Sequence, residues 1–123
     1  MIEGYIYLAS PYDHALAEVR EQRFQEALRA SAWLMNKGEI VFSPIAHSHP
    51  IAVNHSLPLG WEFWERMDTV FVVRSSGVVV LAIEGWDASK GVQAEIAIAK
   101  QAGLPIDFLL VNGDGSYSLS KAV

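Results

Sequence analysis

The run "GVVVLAI", residues 77–83, carries no polar or charged side chain and has three consecutive valines near its start. Successive side chains of a strand point to opposite faces, so a run that is apolar at every position needs cover on both. Branching at Cβ favours a strand over a helix at this length. This segment therefore demands a central strand between two layers, and the rest of the chain falls into place around it. "GYIYLAS" (4–10) is a second buried run that ends at a proline, "EIVFSP" (39–44) is a short strand, and "IDFLLV" (106–111) gives the last strand. The stretch from Asp13 to Gly38 reads as a helix capped by Asp13 and stopped by Gly38. Ala17, Phe24, Ala27, Leu28, Ser31 and Met35 form its expected inner stripe. "IAHSHPIAVNHSLP" (45–58) is expected to be a loop, followed by a helix from about Leu59 to Val73. A further helix leaves "GWDASKG" and is broken by Gly103 and Pro105.

Strand and helix alternate, which implies right-handed βαβ units. The expectation is an α/β fold in one domain spanning residues 1–123. It has three layers, a Rossmann- or flavodoxin-like topology and a mainly parallel sheet of four to five strands. A chain of 123 residues suits one domain with a modest core. In such sheets ligands bind beyond the carboxyl ends of the strands. Three loops meet at that edge: "ASPYDH", "SPIAHSHP" and "EGWDASKG".

Charge narrows the partners. The net charge is −5 and the nine Lys and Arg residues are scattered singly, which argues against a nucleic-acid polymer. A small phosphorylated ligand needs only one local anion site and stays open. The absence of cysteine excludes disulfides and thiolate metal sites. No apolar run has the length of a membrane span, and the N-terminus lacks a basic-then-apolar signal pattern, so no membrane partner and a cytoplasmic location are expected.

One glutamate breaks the pattern of its helix. On a helical wheel, Val92, Ile98, Ala99 and Ala102 fall within about 60° of Glu95, whereas Gln93, Lys100 and Gln101 lie on the far side. Glu95 thus sits in the apolar stripe, facing the sheet and pointing toward the cleft. A buried charge costs several kcal/mol unless it is paired or used, and both readings stay open. A capping box starting at Ser89 would use Val92, so capping does not explain Glu95.

Two other clusters invite competing readings. His47 and His49 alternate in "HSH", with His55 nearby and Asp68 or Asp87 as a third ligand in a metal-hydrolase reading. The prolines and the missing metal-binding spacing favour ligand contact by His47 or His49 instead, with no metal. In "GWEFWERMD", Trp61, Phe63 and Trp64 cannot all face one core. They read as a subunit interface or as a lid stacking on a base, with the interface favoured. Trp86 and Asp87 stand in the third loop, where Trp86 is placed to stack on a base or roof a sugar.

"YLAS" after a short N-terminus, "HSHP" after the second strand, an acidic residue before the valine strand and Ser-x-Gly-x-x-x-Glu from Ser89 to Glu95 form a recognisable set. The set resembles the nucleoside 2-deoxyribosyltransferase family, most closely its branch of 2-deoxynucleoside 5-monophosphate N-glycosidases. The resemblance implies that Glu95 is the nucleophile at the anomeric carbon and that Asp68 orients or protonates the base. It implies that Ser89 meets a phosphate and that Tyr7 and Ser10 contact sugar or phosphate. It also implies a small-molecule nucleoside or nucleotide substrate, no cofactor, and a homodimer or higher homo-oligomer. The first loop, "SPYDHA", lacks the glycine-rich, arginine-containing run of the monophosphate hydrolases. A phosphate would then need Ser10, Ser89, helix N-terminal N–H groups and Arg20. A non-catalytic nucleotide-binding or sensor domain is the alternative from another class.

Overall fold

A computed structural model describes residues 4–121 of the chain. Its elements, in chain order, are β1 (Ile6–Ala9), α1 (Ala17–Asn36), β2 (Val41–Phe42), α2 (Pro44–His55) and α3 (Trp61–Val73). After these come β3 (Gly77–Leu81), a single 3-10 turn (Trp86–Ala88), α4 (Lys90–Gln101), β4 (Ile106–Val111) and β5 (Tyr117–Lys121). The strands form one sheet in the order β2-β1-β3-β4-β5. The first four are parallel, with Tyr7 opposite Phe42 and Val78, and Val80 opposite Phe108. β5 runs antiparallel to β4.

The valine strand is central and buried along its whole length, as its composition requires. Alternation divides its side chains between two cores. Val78 and Val80 pack with Tyr7 and Ala9 of β1 against Val72 of α3 and Val92 and Ala99 of α4. Val79 and Leu81 pack with Leu8 and Leu109 against Ala30 and Leu34 of α1. Each buried Val or Leu among them contributes about 1.5–3 kcal/mol by leaving water, so both faces of the sheet hold the domain together.

Four local expectations are corrected. Residues 44–55 form helix α2, not a loop. Ser43 caps it, its Oγ accepting from the Ala46 N–H at 3.1 Å, and Pro44 occupies the first turn, where its missing N–H costs nothing. Pro50 is carried inside this helix. Asp13 does not cap α1. The helix starts at Ala17, after Leu16, because residues 13 and 14 are held by their backbone carbonyls, which accept from Arg23 and Arg20. The inner stripe of α1 is Ala27, Ala30, Ser31 and Leu34, while Ala17, Leu28 and Met35 are exposed. Finally, "IDFLLV" is not the last strand. The turn through Asn112 and Gly115 reverses the chain into β5, whose alternating serines gave no apolar run to detect.

The parallel order diverges at β1 and β3, since β1 leads outward to β2 and β3 leads outward to β4. A crevice opens at such a point, beyond the carboxyl ends of the two strands. Gly85 turns the chain there with φ of 93°, and a Cβ at that position would lie 2.5 Å from Arg23 Nη2. The turn needs glycine both for its backbone and for the space the guanidinium fills.

Candidate functional site

A cavity of about 320 Å³ lies at that crevice. Ser10 and Tyr12 come to it from the segment after β1, and Ser48 and His49 from α2. Trp61, Trp64 and Asp68 come from α3, Ser89 from the N-cap of α4 and Glu95 from its middle. α3 and α4 pack against each other: Trp61 Cε3 would lie 3.6 Å from a Cβ on Gly91.

Glu95 is only 4% exposed. The Tyr7 hydroxyl, itself fully buried on β1, donates a hydrogen bond to Glu95 Oε2. Burial pushes the Glu95 carboxyl up to about 8, and the Asp68 carboxylate adds to the rise while the Tyr7 hydrogen bond opposes it. Asp68 is 7% exposed and burial raises it to about 6. Burial, reinforced by the negative charge on Glu95, also lifts the Tyr7 hydroxyl well above its usual value. With values on either side of neutrality, Glu95 keeps its proton at pH 7 while Asp68 is mostly ionised. Two buried polar atoms here, Ser10 Oγ and Asp68 Oδ1, have no hydrogen-bond partner. Both residues line the cavity, where a ligand would satisfy them.

The residues expected from the sequence divide into two groups. Glu95, Asp68, Ser10 and Ser89 line the cavity, and Tyr7 supports Glu95 from beneath. Ser89 also caps α4, its Oγ accepting from the Val92 N–H at 3.2 Å. His47, Trp86 and Asp87 do not line it. His47 is exposed, beside Phe42 and Ser48. Its placement follows from the α2 helix: residues two apart diverge by about 200° around a helix, so His49 turns into the cavity and His47 out. For the same reason the "HSH" pair does not converge, and among the described residues no three His, Asp or Glu side chains gather as metal ligands. Trp86 packs edge-on against Phe108 with 5.0 Å between centroids and belongs to the core.

Trp61 and Trp64 line the cavity and are half-buried. The Trp64 indole N–H donates to the Pro58 carbonyl at 2.9 Å. Phe63, lying edge-on to Trp64, is 49% exposed. Glu62 and Lys90 form an ion pair between the first turns of α3 and α4. Both are largely exposed, so the pair adds little to stability. Tyr12 is a site residue the sequence reading passed over. Its only signal was its place two residues after Ser10, in a loop already assigned to the ligand-binding edge.

Residues 4–110 match the family described as Domain of unknown function (DUF1937), and the chain belongs to that family. No curated protein matches the chain. Among the described residues, no helix is long and apolar enough to cross a membrane.

Proposed function

We propose that the cavity takes a nucleoside or nucleoside 5-monophosphate and cleaves its N-glycosidic bond, by hydrolysis or by deoxyribosyl transfer. Glu95 is the nucleophile and Asp68 assists departure of the base. The observation that carries this reading is the buried pair: Glu95, held by the Tyr7 hydroxyl, and Asp68, whose Oδ1 has no protein partner, at the wall of a cavity with two tryptophans. The resemblance around Ser89 and Glu95 supports the same roles.

The chemistry needs one carboxylate and one proton. Glu95 attacks the anomeric carbon as the C–N bond breaks, the bonding electrons leave with the base, and the base takes the proton from Asp68. Water or a second base then attacks the glycosyl ester, Glu95 leaves as a carboxylate, and the acceptor's proton returns to Asp68. In the free site at pH 7 the proton resides mainly on Glu95, the weaker acid. Positive charge developing at the anomeric carbon favours the ionised form of Glu95 and shifts that proton toward Asp68 and the base. No metal or redox cofactor takes part in this scheme. Trp61 and Trp64 offer faces on which a planar base can stack.

The reading includes a single-domain, three-layer fold of Rossmann or flavodoxin type. The strand order 2-1-3-4 and the cavity at the β1–β3 divergence support it. A homo-oligomer also belongs to this proposal, with the exposed α3 face around Phe63, Val70 and Val73 as the contact. A second reading, a nucleotide-binding domain without chemistry, draws on the value of about 8 for Glu95, because a neutral acid can donate a hydrogen bond to a ligand. Incubation with a panel of nucleosides and monophosphates, followed by chromatography for free base, separates the two. Release of base supports cleavage. Binding with no release from any member of the panel supports the second reading and ends the first.

A further inference from the structure

Part of the cavity wall is a hydrogen-bonded chain that the glycosidic chemistry does not use. Tyr12 and His49 both line the cavity. The Tyr12 hydroxyl lies 2.7 Å from His49 Nδ1, and His49 Nε2 lies 3.0 Å from Glu21 Oε1 on α1. Phe24 stacks on the imidazole with 4.3 Å between centroids, and Tyr12 meets it edge-on. His49 is thus buried and fixed by three neighbours, while the Glu21 side chain is 55% exposed. The ring cannot turn without giving up a hydrogen bond on each side.

With His49 as a neutral imidazole, this chain has a single arrangement of its protons. Hydrogen bonds from Gln25 and His49 hold the Glu21 carboxyl below its usual range, so it is ionised at neutral pH and can only accept. His49 Nε2 must therefore carry a hydrogen. In the neutral ring Nδ1 is then a lone pair, and the Tyr12 hydroxyl hydrogen points to it. Burial raises the Tyr12 pKa, and the Arg20 guanidinium beside the hydroxyl pulls the other way. The acids Asp13 and Glu21 also act on it. Arg20 has only donors, so it too faces oxygen lone pairs and leaves the hydroxyl hydrogen on His49. What Tyr12 has left to offer a ligand is a hydrogen-bond acceptor.

The charges around the cavity act in the same direction. Asp13 and Asp68 line it beside Glu95, which keeps its proton in the free site, and Lys90, the one cation among the described lining residues, is paired with Glu62. Arg20 and Arg23 do not line it; they donate to the carbonyls of His14 and Asp13, and Arg20 is also engaged by the Tyr12 hydroxyl. A phosphate dianion there would face carboxylates and a lone pair, whereas an uncharged hydroxyl can donate to Tyr12. We propose that Tyr12, held as an acceptor by His49 and Glu21, selects a ligand hydroxyl and tunes the cavity for an uncharged nucleoside over its 5-monophosphate. Tyr12 is the specificity residue, and His49 and Glu21 are positioning residues. The inference rests on the nucleoside reading of the site, but on its ligand class and not on its chemistry.

The test is binding by calorimetry to a Glu95→Gln protein, which removes turnover. The probes are a nucleoside, its 5-monophosphate and its 2-, 3- and 5-deoxy sugar analogues. The nucleoside should bind about tenfold tighter than the monophosphate or better. One deoxy analogue should lose roughly five- to tenfold, the worth of one hydrogen bond. That loss should vanish when Tyr12→Phe is added, since neither hydroxyl then has a partner. Glu21→Gln, an exposed change that lets either tautomer of His49 stand, should weaken the same coupling. Equal or tighter binding of the monophosphate would overturn the proposal. So would a deoxy loss that persists in Tyr12→Phe, or a coupling untouched by Glu21→Gln. Binding and coupling without base release from the wild-type protein would end the glycosidase reading and leave this one standing. Base release without coupling would do the reverse.

Discussion

The Tyr7 hydroxyl on β1 donates to Glu95 Oε2 on α4, joining two buried residues 88 apart in sequence. Tyr7 is placed by its pairing opposite Phe42 and Val78 in the sheet, and Glu95 by the apolar stripe of its helix. The bond pulls the Glu95 carboxyl down against the burial that raises it. Tyr7 thereby makes an ionised Glu95 easier to reach at neutral pH. The pH dependence of the proposed reaction follows from this bond and the neighbouring Asp68. Below about 6 both acids are protonated and no carboxylate can attack; above about 8 neither has a proton for the base. The profile of kcat/KM should therefore be bell-shaped between these values. Tyr7→Phe should lower activity by about 10- to 100-fold and move the alkaline limb to higher pH, because the bond that lowered Glu95 is gone. Unchanged limbs, with activity following only the folded fraction, would make Tyr7 a packing residue.

Stability should carry the same signature. Both acids have folded-state values above their ordinary ones, 4.5 to about 8 for Glu95 and 3.8 to about 6 for Asp68. Their contribution is fully present at low pH and is lost as pH rises through about 6 and then about 8. Glu95→Gln removes the larger of these losses. Its melting temperature should match that of the wild type near pH 4 and exceed it increasingly up to about pH 9, by several degrees. A difference that does not change with pH would mean that Glu95 is not a neutral buried acid.

Asp68 has a separate test. If it supplies the proton to the leaving base, Asp68→Asn should slow natural substrates by about 10²-fold or more. Substrates whose leaving group needs no proton should lose far less. Equal losses on both, measured as initial rates of base release, would assign Asp68 to positioning.

Assembly can be measured directly. Phe63, Val70 and Val73 are each about half exposed on α3, and Phe63 and Val70 border a shallow hollow with Met67 and Phe71. Light scattering at micromolar concentration should give at least a dimer, and Val70→Glu should yield a folded monomer. A wild-type monomer would contradict the proposed oligomer.

The sequence told most where side-chain periodicity carried the signal. The valine run implied a central strand, and the helical wheel turned Glu95 inward, because burial imposes regular spacing. It told least where a local rule was outweighed. Two prolines made residues 44–55 read as a loop, yet Pro44 sits where a helix accepts it and Ser43 caps the start. That single misreading also left His47 and His49 undivided, since only a helix turns His49 inward and His47 out. β5 was missed because an edge strand of alternating serines needs no apolar run. The Tyr12–His49–Glu21 chain joins a loop and two helices, and spacing along the chain cannot show such a meeting.

In the proposed reaction Glu95 attacks the sugar. Incubation with a 2-fluoro nucleoside analogue, which slows breakdown of a glycosyl ester, followed by peptide mass spectrometry, tests it most directly. One sugar adduct per chain is expected, on the peptide containing Glu95 and assigned to that side chain. Glu95→Gln should form no adduct and should lose on the order of 10³-fold or more in base release while still binding nucleoside. An adduct on any other residue, or full turnover by Glu95→Gln, would contradict it.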